Sequence, residues 1–161
     1  MAGLWGSGLA DRIRAGRRAR AEEPFAIAVG GAVLAGAIDL LVDEGGGRAL
    51  VVDWKTHALG PGVAAAEVAE DYRLQQALYG LAALRGGWSE VTLTWAVLED
   101  LAGSPTRSVG SADAAALEGE LAAALAPLRG PERAPAARAP QPFCSSCPGL
   151  DAMCPVALAA P

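Results

Sequence analysis

The sequence predicts an α/β fold in which a hairpin of apolar strands is followed by a long helix and a further strand. Two segments rich in Val, Ile and Leu, separated by three consecutive glycines, predict the hairpin. A later segment dominated by Ala, Leu and Glu predicts the helix. Since 52% of the 161 residues are hydrophobic, the chain is long enough and apolar enough to bury the core of one domain.

In chain order the elements follow the pattern α-β-β-β-α-β, with one more helix after them. The first is a short basic helix, and the last is an alanine-rich helix with Ser111 as its expected N-cap. The predicted elements are the helix Leu4–Arg20, the strands Pro24–Val29, Gly31–Asp43 and Arg48–Thr56, the helix Val63–Arg85, the strand Glu90–Glu99 and the helix Ser111–Leu128. Residues 1–128 are therefore expected to form one domain, with a basic N-terminal segment at 1–22.

The C-terminal part has a different composition. Residues 129–142 are rich in Pro and Ala without periodicity, which predicts a linker. Residues 143–161 form a tail that contains Cys144, Cys147 and Cys154. An acidic chain without a signal peptide or an apolar span of membrane length is expected in the cytoplasm, where clustered cysteines favour a metal site over a disulfide.

Lys55 is the only lysine of the chain, whereas arginine occurs twelve times. It lies two positions after Asp53 on the third predicted strand, so the two side chains share one face of the sheet and Trp54 points to the other. The lysine ammonium is a compact cation whose pKa shifts more readily on burial than that of a guanidinium. Asp53 and Lys55 are therefore candidate site residues.

A second carboxylate is expected beside this pair. If the three glycines form the loop, Glu44 pairs with Arg48 and the antiparallel register places Asp39 opposite Asp53, although a bulge would shift this register by one residue. Facing carboxylates destabilise a sheet unless a cation compensates for them or the pKa of one carboxyl is raised. Mg²⁺ is a suitable cation, because it is typically held by one or two carboxylates with water and phosphate oxygens. The pattern predicts metal-dependent hydrolysis of DNA. The alternative is a surface ion pair between Asp53 and Lys55.

Four stretches of the sequence carry a resemblance to a known family. They are Gly36-Ala37-Ile38-Asp39, Val52-Asp53-Trp54-Lys55-Thr56, Tyr72-Arg73-Leu74-Gln75-Gln76-Ala77-Leu78-Tyr79 and the cysteine-rich tail. By these motifs and their order over residues 23 to 155, the chain resembles the PD-(D/E)XK nuclease superfamily. It is most similar in pattern to the RecB-like nuclease domains of the iron-sulfur (AddB-like) type in bacterial helicase-nuclease proteins. The resemblance implies a restriction-endonuclease-like core, in which a mixed sheet is flanked by helices.

The resemblance also implies roles for individual residues. Asp39 and Asp53 would bind Mg²⁺ or Mn²⁺, and Lys55 would be the catalytic lysine. Gln75 with Tyr79 would contact DNA or order the site. The predicted helix agrees with this pairing, since residues four apart share a helix face. The alternative is that Tyr79 packs against the sheet and Gln75 is solvated.

The cysteine spacing in the tail, C-x₂-C-x₆-C-P, is similar to that of iron-sulfur ligands. Relatives of the iron-sulfur type carry a fourth cysteine far upstream, which this sequence lacks. A missing N-terminal segment, a non-cysteine ligand or a degenerate 4Fe-4S cluster would each account for the difference. A Cys₃His zinc site that uses His57 is a further alternative.

The N-terminal segment departs from the family in a second way. The family often places a metal-binding histidine on the first helix, but no histidine precedes His57. If that ligand is essential, the nuclease would be weak or inactive. Glu23 lies where relatives often carry a glutamate before the first strand. The arginines of this segment are expected either to meet DNA phosphates or to belong to a solvated helix or a disordered end; they are Arg12, Arg14, Arg17, Arg18 and Arg20.

The net charge of −5 is unusual for a protein that binds nucleic acid. It predicts weak DNA binding by the isolated domain, with a helicase subunit or domain supplying most of the affinity for single strands or duplex ends. The leading hypothesis is a DNA exonuclease domain that acts in recombination and repair. The alternative is a non-catalytic module of the same fold, with a tail held in place by a metal site, that binds DNA or a partner.

Overall fold

A five-stranded sheet lies at the centre of the first of two units into which the chain divides. These units are Met1–Leu125 and Ala126–Pro161, and the computed structural model describes residues 6–56 and 72–129. The described elements are helix α1 (Gly8–Ala15), strands β1 (Arg18–Val29), β2 (Ala32–Gly45) and β3 (Arg48–Lys55), helix α2 (Arg73–Arg85), strands β4 (Glu90–Val97) and β5 (Thr106–Gly110), helix α3 (Ala114–Leu125), and 3₁₀ turns at Ser111–Asp113 and Ala126–Arg129.

The strands are ordered β1-β2-β3-β4-β5 across the sheet. Among them β3 and β4 are parallel, and the other neighbouring pairs are antiparallel. A parallel pair requires a crossover connection, and α2 lies on the connection from β3 to β4. The mixed sheet with its flanking helices confirms the predicted α/β, restriction-endonuclease-like class. No helix in the described ranges is long and apolar enough to cross a membrane.

The N-terminal helix is shorter, and the first strand longer, than predicted. The helix α1 ends at Ala15, and β1 begins at Arg18 rather than at Pro24. The cause is tertiary, because β2 continues to Gly45 and offers backbone partners as far as the pair Arg18↔Asp43. Sheet pairing therefore overrides the helix propensity of the arginine-rich segment.

Gly16 lies between α1 and β1, at a position with no room for a side chain. A Cβ atom there would lie 2.2 Å from Cγ1 of the buried Val42. We expect Gly16→Ala to lower the free energy of unfolding by about 1–3 kcal/mol, because the core must shift to admit the methyl group. The control is Gly119→Ala, in open space on α3, which should raise stability by up to about 1 kcal/mol. Urea denaturation measures both, and a Gly16→Ala protein as stable as the wild type would contradict this packing.

The turn of the β2–β3 hairpin differs from the prediction. Gly45 pairs with Arg48, so the turn consists of Gly46 and Gly47 alone. Their φ angles of 63° and 78° suit a two-residue hairpin turn of type I′, which requires positive φ at both positions. The expected three-glycine loop, with Glu44 paired to Arg48, is therefore wrong.

The register of the hairpin is nevertheless the predicted one. A bulge next to the turn, between Asp43 and Gly45, absorbs the one-residue difference. Beyond the bulge the ladder continues to the pair Leu40↔Val52. One further step in the same register would set Asp39 opposite Asp53, but there the Asp39 side chain, rather than the backbone, accepts a hydrogen bond from the N–H of Trp54.

The strand β5 is an element that the sequence analysis missed. It pairs antiparallel with β4, but of its 5 residues only Val109 is buried, so it carries little hydrophobic pattern. The start of the last helix also differs. Ser111, the expected N-cap, donates its hydroxyl to the carbonyl of Ser89, while the Asp113 carboxylate accepts from the N–H of Gly110.

Helices cover both faces of the sheet. The α2 face buries Val51, Val91 and Leu93, and the α1 face buries Val42, Leu50 and Val52. Trp54 packs on the α1 face. Since side chains alternate along a strand, Asp53 and Lys55 lie on the α2 face, where the polar contacts described below are made.

Candidate active site

Three elements bring the predicted site residues together on the α2 face of the sheet. Asp39 lies on β2, Asp53 and Lys55 lie near the end of β3, and Gln75 and Tyr79 lie one turn apart on α2. Asp53 and Lys55 are buried, with only 3% and 8% of their surfaces exposed. The two groups are therefore a buried ion pair rather than a surface one. Buried charges need partners within the protein, because water no longer solvates them.

The ammonium of Lys55 contacts three side chains among the described residues. Its Nζ atom lies 2.6 Å from Oδ2 of Asp53 and donates a hydrogen bond of 3.0 Å to Oε1 of Gln75. It also lies 3.6 Å from the centroid of the Tyr72 ring, which is a cation–π contact. A carboxylate, an amide and an aromatic face therefore hold the lysine in one position.

Gln75 links helix α2 to the sheet. Its Nε2 atom donates to Oδ1 of Asp53 at 2.9 Å and to the hydroxyl of Tyr79 at 3.0 Å. Tyr79 in turn donates to the carbonyl of Ala37 at 3.1 Å, and its ring packs edge-on against Phe25. The alternative of a solvated Gln75 is wrong, because the amide joins a hydrogen-bonded network that reaches β2 and β3.

Asp39 is tied to β3 by its side chain. Its Oδ2 atom accepts a hydrogen bond of 2.9 Å from the backbone N–H of Trp54, beyond the last backbone pair of the β2–β3 ladder. This contact fixes the second carboxylate of the site. The negative charge of Asp39 is close enough to disfavour ionisation of Asp53.

The protonation of Asp53 reflects its surroundings. Burial raises the pKa of Asp53 above its ordinary value and outweighs the hydrogen bond and charge of Lys55, which lower it; the charge of Asp39 raises it further. A pKa raised on folding stabilises the fold at pH below the unfolded pKa, and this contribution is lost as the pH rises through the folded pKa. Ionisation of Asp53 therefore disfavours the fold, and a bound cation would offset this cost.

The hydroxyl of Tyr79 is kept in its neutral form. Burial raises the pKa of Tyr79, and the hydrogen bond from Gln75 opposes this effect only in part. The nearby charges of Asp53, Asp39 and Glu22 raise the pKa further. The phenol therefore remains a hydrogen-bond donor to β2 at neutral pH.

The oxygen atoms of Asp39 and Asp53 fit a divalent metal ion. In the described ranges no three Asp, Glu, His or Cys side chains are grouped to hold a metal ion on their own. Mg²⁺, however, takes one or two carboxylates and fills its other positions with water and phosphate oxygens. Oδ2 of Asp53 supports the fit, because it is buried and its one polar contact among the described residues is the ammonium of Lys55 at 2.6 Å.

Glu22 lies close enough to Tyr79 for its charge to raise the pKa of that phenol, while a role for Glu23 stays a prediction. Glu23 forms an ion pair of 2.9 Å with Arg20, whereas the charge of Glu22 reaches Tyr79. Glu22 lies opposite Asp39 where backbone pairing between β1 and β2 is interrupted. Its φ of 51° is the only positive value of a non-glycine residue in the part of the chain that the structure describes. Left-handed backbone costs such a residue about 1–2 kcal/mol, and sequence reasoning had no signal for it.

Two aromatic residues of the site were not predicted as site residues. Tyr72 stands just before α2 and covers Lys55. Trp95 on β4 is fully buried, and its Nε1 donates to Oε1 of Gln75 at 3.3 Å. A signal for Trp95 was available, because a buried indole N–H needs an acceptor and the alternation of β4 places this residue on the α2 face.

Arginines of the N-terminal segment are engaged in ion pairs within the chain. The pairs are Arg12 with Glu44, Arg14 with Asp11 and Arg20 with Glu23. Arg12 also donates to the hydroxyl of Thr92 and so anchors α1 to the sheet. Contact of this segment with DNA stays a prediction, and these pairs would compete with it.

His57 and the cysteines of the tail lie outside the described residues. The iron-sulfur cluster at Cys144, Cys147 and Cys154, and the zinc site that would add His57, therefore stay predictions.

Comparisons with known proteins identify the superfamily. A search of curated proteins finds no match. Among solved structures the chain is similar to SSO0001, whose crystal structure aligns with a TM-score of 0.44 at 19% sequence identity; the alignment covers 77% of this chain and 57% of that one. The model of the PD-(D/E)XK nuclease superfamily matches residues 4–155, which is nearly the whole sequence. The chain therefore belongs to the PD-(D/E)XK nuclease superfamily.

Proposed function

We propose that the chain is a Mg²⁺- or Mn²⁺-dependent DNA exonuclease domain of the RecB-like type, acting in recombination and repair. Nucleases of this superfamily generally use divalent metal ions. The observation that carries the proposal is the buried contact of Asp53 with Lys55 and Gln75. Such a cluster costs stability, and a metal-dependent reaction explains why the fold maintains it.

In this proposal Asp39 and Asp53 hold the metal ion. When bound, the ion supplies a Lewis acid for the phosphoryl oxygen and lowers the pKa of a water molecule. Asp39 is oriented by the N–H of Trp54, and Asp53 by the amide of Gln75. Both carboxylates are therefore in place before the substrate arrives.

Lys55 supplies the positive charge that the transition state needs. Negative charge grows on the phosphoryl oxygens during hydrolysis, and a preorganised cation stabilises it without reorganisation. The Tyr72 ring and Oε1 of Gln75 hold the ammonium beside Asp53. Tyr79 anchors Gln75 to β2, so this part of the site orders the reacting groups.

A larger assembly supplies most of the DNA affinity in this proposal. The net charge is −5, and several N-terminal arginines are already paired with carboxylates. Affinity for nucleic acid depends mainly on unpaired cations that meet phosphates. A helicase subunit or domain in the cytoplasm would feed a DNA end to the site.

The tail is proposed to hold a 4Fe-4S cluster through Cys144, Cys147 and Cys154, with a fourth ligand that is not a cysteine of this sequence. We expect anaerobically purified protein to absorb visible light, and Cys147→Ser to lose this absorbance. Colourless protein that contains zinc would instead support the Cys₃His site with His57.

End dependence of cleavage tests the proposed function. Linear and circular single-stranded DNA of one sequence are incubated with the chain and Mg²⁺ or Mn²⁺, with EDTA as the control. We expect the linear strand to be degraded from its ends and the circle to survive. Cleavage of the circle would contradict an exonuclease.

A non-catalytic module is the second candidate. It is supported by the absence of a histidine before His57 and of a fourth cysteine. Retained binding of the linear strand without any cleavage, in the presence of either metal ion, would favour the module over the enzyme.

A further inference from the structure

Trp95 stands next to the proposed site on the neighbouring strand. In the parallel β3–β4 ladder it is the partner of Asp53, so the two side chains project side by side from the same face of the sheet. None of its surface is exposed. Its ring also packs against Tyr79 with centroids 6.2 Å apart, and its Nε1 reaches Gln75.

The chemistry of the donors decides which way the Gln75 amide faces. An indole N–H and a lysine ammonium can only donate hydrogen bonds, so both must meet the carbonyl oxygen of the amide. Trp95 and Lys55 do meet Oε1, at 3.3 and 3.0 Å. Nε2 is thereby directed to Oδ1 of Asp53 and to the Tyr79 hydroxyl.

A reversed amide would be disfavoured on both sides. Its NH₂ group would face the Lys55 ammonium and the indole N–H, and its oxygen would face the carboxylate of Asp53. The carboxylate would then lose a donor, and the ammonium would lose its amide acceptor. The indole adds a second donor at the oxygen side and so strengthens the preference for one orientation.

We propose that Trp95 is a positioning residue that fixes the orientation of the Gln75 amide and, through it, the places of Lys55 and Asp53. Trp95 does not touch the reacting atoms. The expected effect of Trp95 on the rate rests on the proposed nuclease function. Its effect on the contact between Gln75 and Lys55 can be measured without any reaction.

Two replacements remove the indole N–H in different ways. Trp95→Phe removes the N–H and part of the ring, while 3-benzothienylalanine, incorporated at position 95, keeps the shape of the indole and carries sulfur in place of the N–H. The second replacement guards against a loss of packing at this fully buried position. Trp88→Phe, at a half-buried tryptophan beyond the end of α2, is the matched control.

Cleavage kinetics test whether Trp95 acts through Gln75. We expect both replacements to lower kcat about tenfold, the equivalent of one lost hydrogen bond, with the KM for single-stranded DNA unchanged. In a Gln75→Ala background the same replacements should change kcat less than twofold, because the amide they orient is absent. An equal loss of kcat in both backgrounds would overturn the inference and leave Trp95 as a packing residue.

The lysine itself gives a second, independent signal. Because Lys55 is the only lysine, protein labelled with ¹³C at lysine Cε gives a single lysine resonance. We expect both Trp95 replacements to move this resonance toward its position in Gln75→Ala, and Trp88→Phe to leave it in place. An unmoved resonance in both replacements would overturn the inference. If the wild type cleaves no DNA, the proposed function fails. The Lys55 resonance alone then tests whether Trp95 positions the Gln75 amide.

Discussion

Lys55→Ala is expected to lower the rate of metal-dependent DNA cleavage by about 10²- to 10³-fold. Loss of one preorganised group that stabilises transition-state charge typically has an effect of this size. Lys55 is buried between Asp53, Gln75 and the Tyr72 ring, so no solvent cation can take its place at the same geometry. Rapid-quench measurement of single-turnover cleavage at saturating protein compares the two rates.

Lys55→Arg tests whether charge alone is enough. A guanidinium is planar and larger than an ammonium. It cannot take the position of the ammonium beside Oε1 of Gln75 and the Tyr72 ring without displacing one of them. We expect the arginine variant to lose most of the activity too. Equal activity of Lys55→Arg and wild type would show that the lysine contributes only long-range charge.

Asp53→Asn is expected to abolish both cleavage and stabilisation by metal ions. Mg²⁺ at one hundred times its Kd should stabilise the wild-type chain by about 2.7 kcal/mol, since it binds the folded state alone. The asparagine keeps the shape of Asp53 but supplies no negative charge, so the metal ion loses one of its two carboxylates. Thermal unfolding with and without Mg²⁺ or Mn²⁺ measures this difference.

The control for this variant is Asp11→Asn on α1. Asp11 is exposed and forms its ion pair with Arg14, away from the site. We expect Mg²⁺ or Mn²⁺ to stabilise the Asp11→Asn protein as much as it stabilises the wild type. Metal stabilisation that persists in Asp53→Asn would place the ion somewhere else in the chain.

Strong local patterns made the central part of the fold predictable. The apolar runs on both sides of the glycines predicted β2 and β3, and strand alternation predicted that Asp53 and Lys55 share a face. The predicted register holds as far as the pair Leu40↔Val52 although the turn was wrong, because the bulge compensates for the shorter turn. Membership of the PD-(D/E)XK nuclease superfamily is likewise confirmed, while the RecB-like subtype stays a proposal.

The features that were missed depend on contacts between distant residues. The start of β1 at Arg18 depends on how far β2 extends, and β5 has a single buried residue to mark it. Strand alternation places Trp95 on the α2 face, but its acceptor lies twenty residues earlier on another element, so the sequence does not identify the partner. Glu22 has a positive φ angle, which the sequence does not reveal because glutamate rarely adopts one.

The most direct test of the site is degradation of end-labelled single-stranded DNA by the whole chain with Mg²⁺ or Mn²⁺, next to Lys55→Ala and Asp53→Ala. We expect metal-dependent cleavage by the wild type and its loss in both variants, with DNA binding unchanged. Cleavage that survives in the variants, or no cleavage by a wild type that binds the DNA as well as they do, would contradict a nuclease centred on Asp39, Asp53 and Lys55.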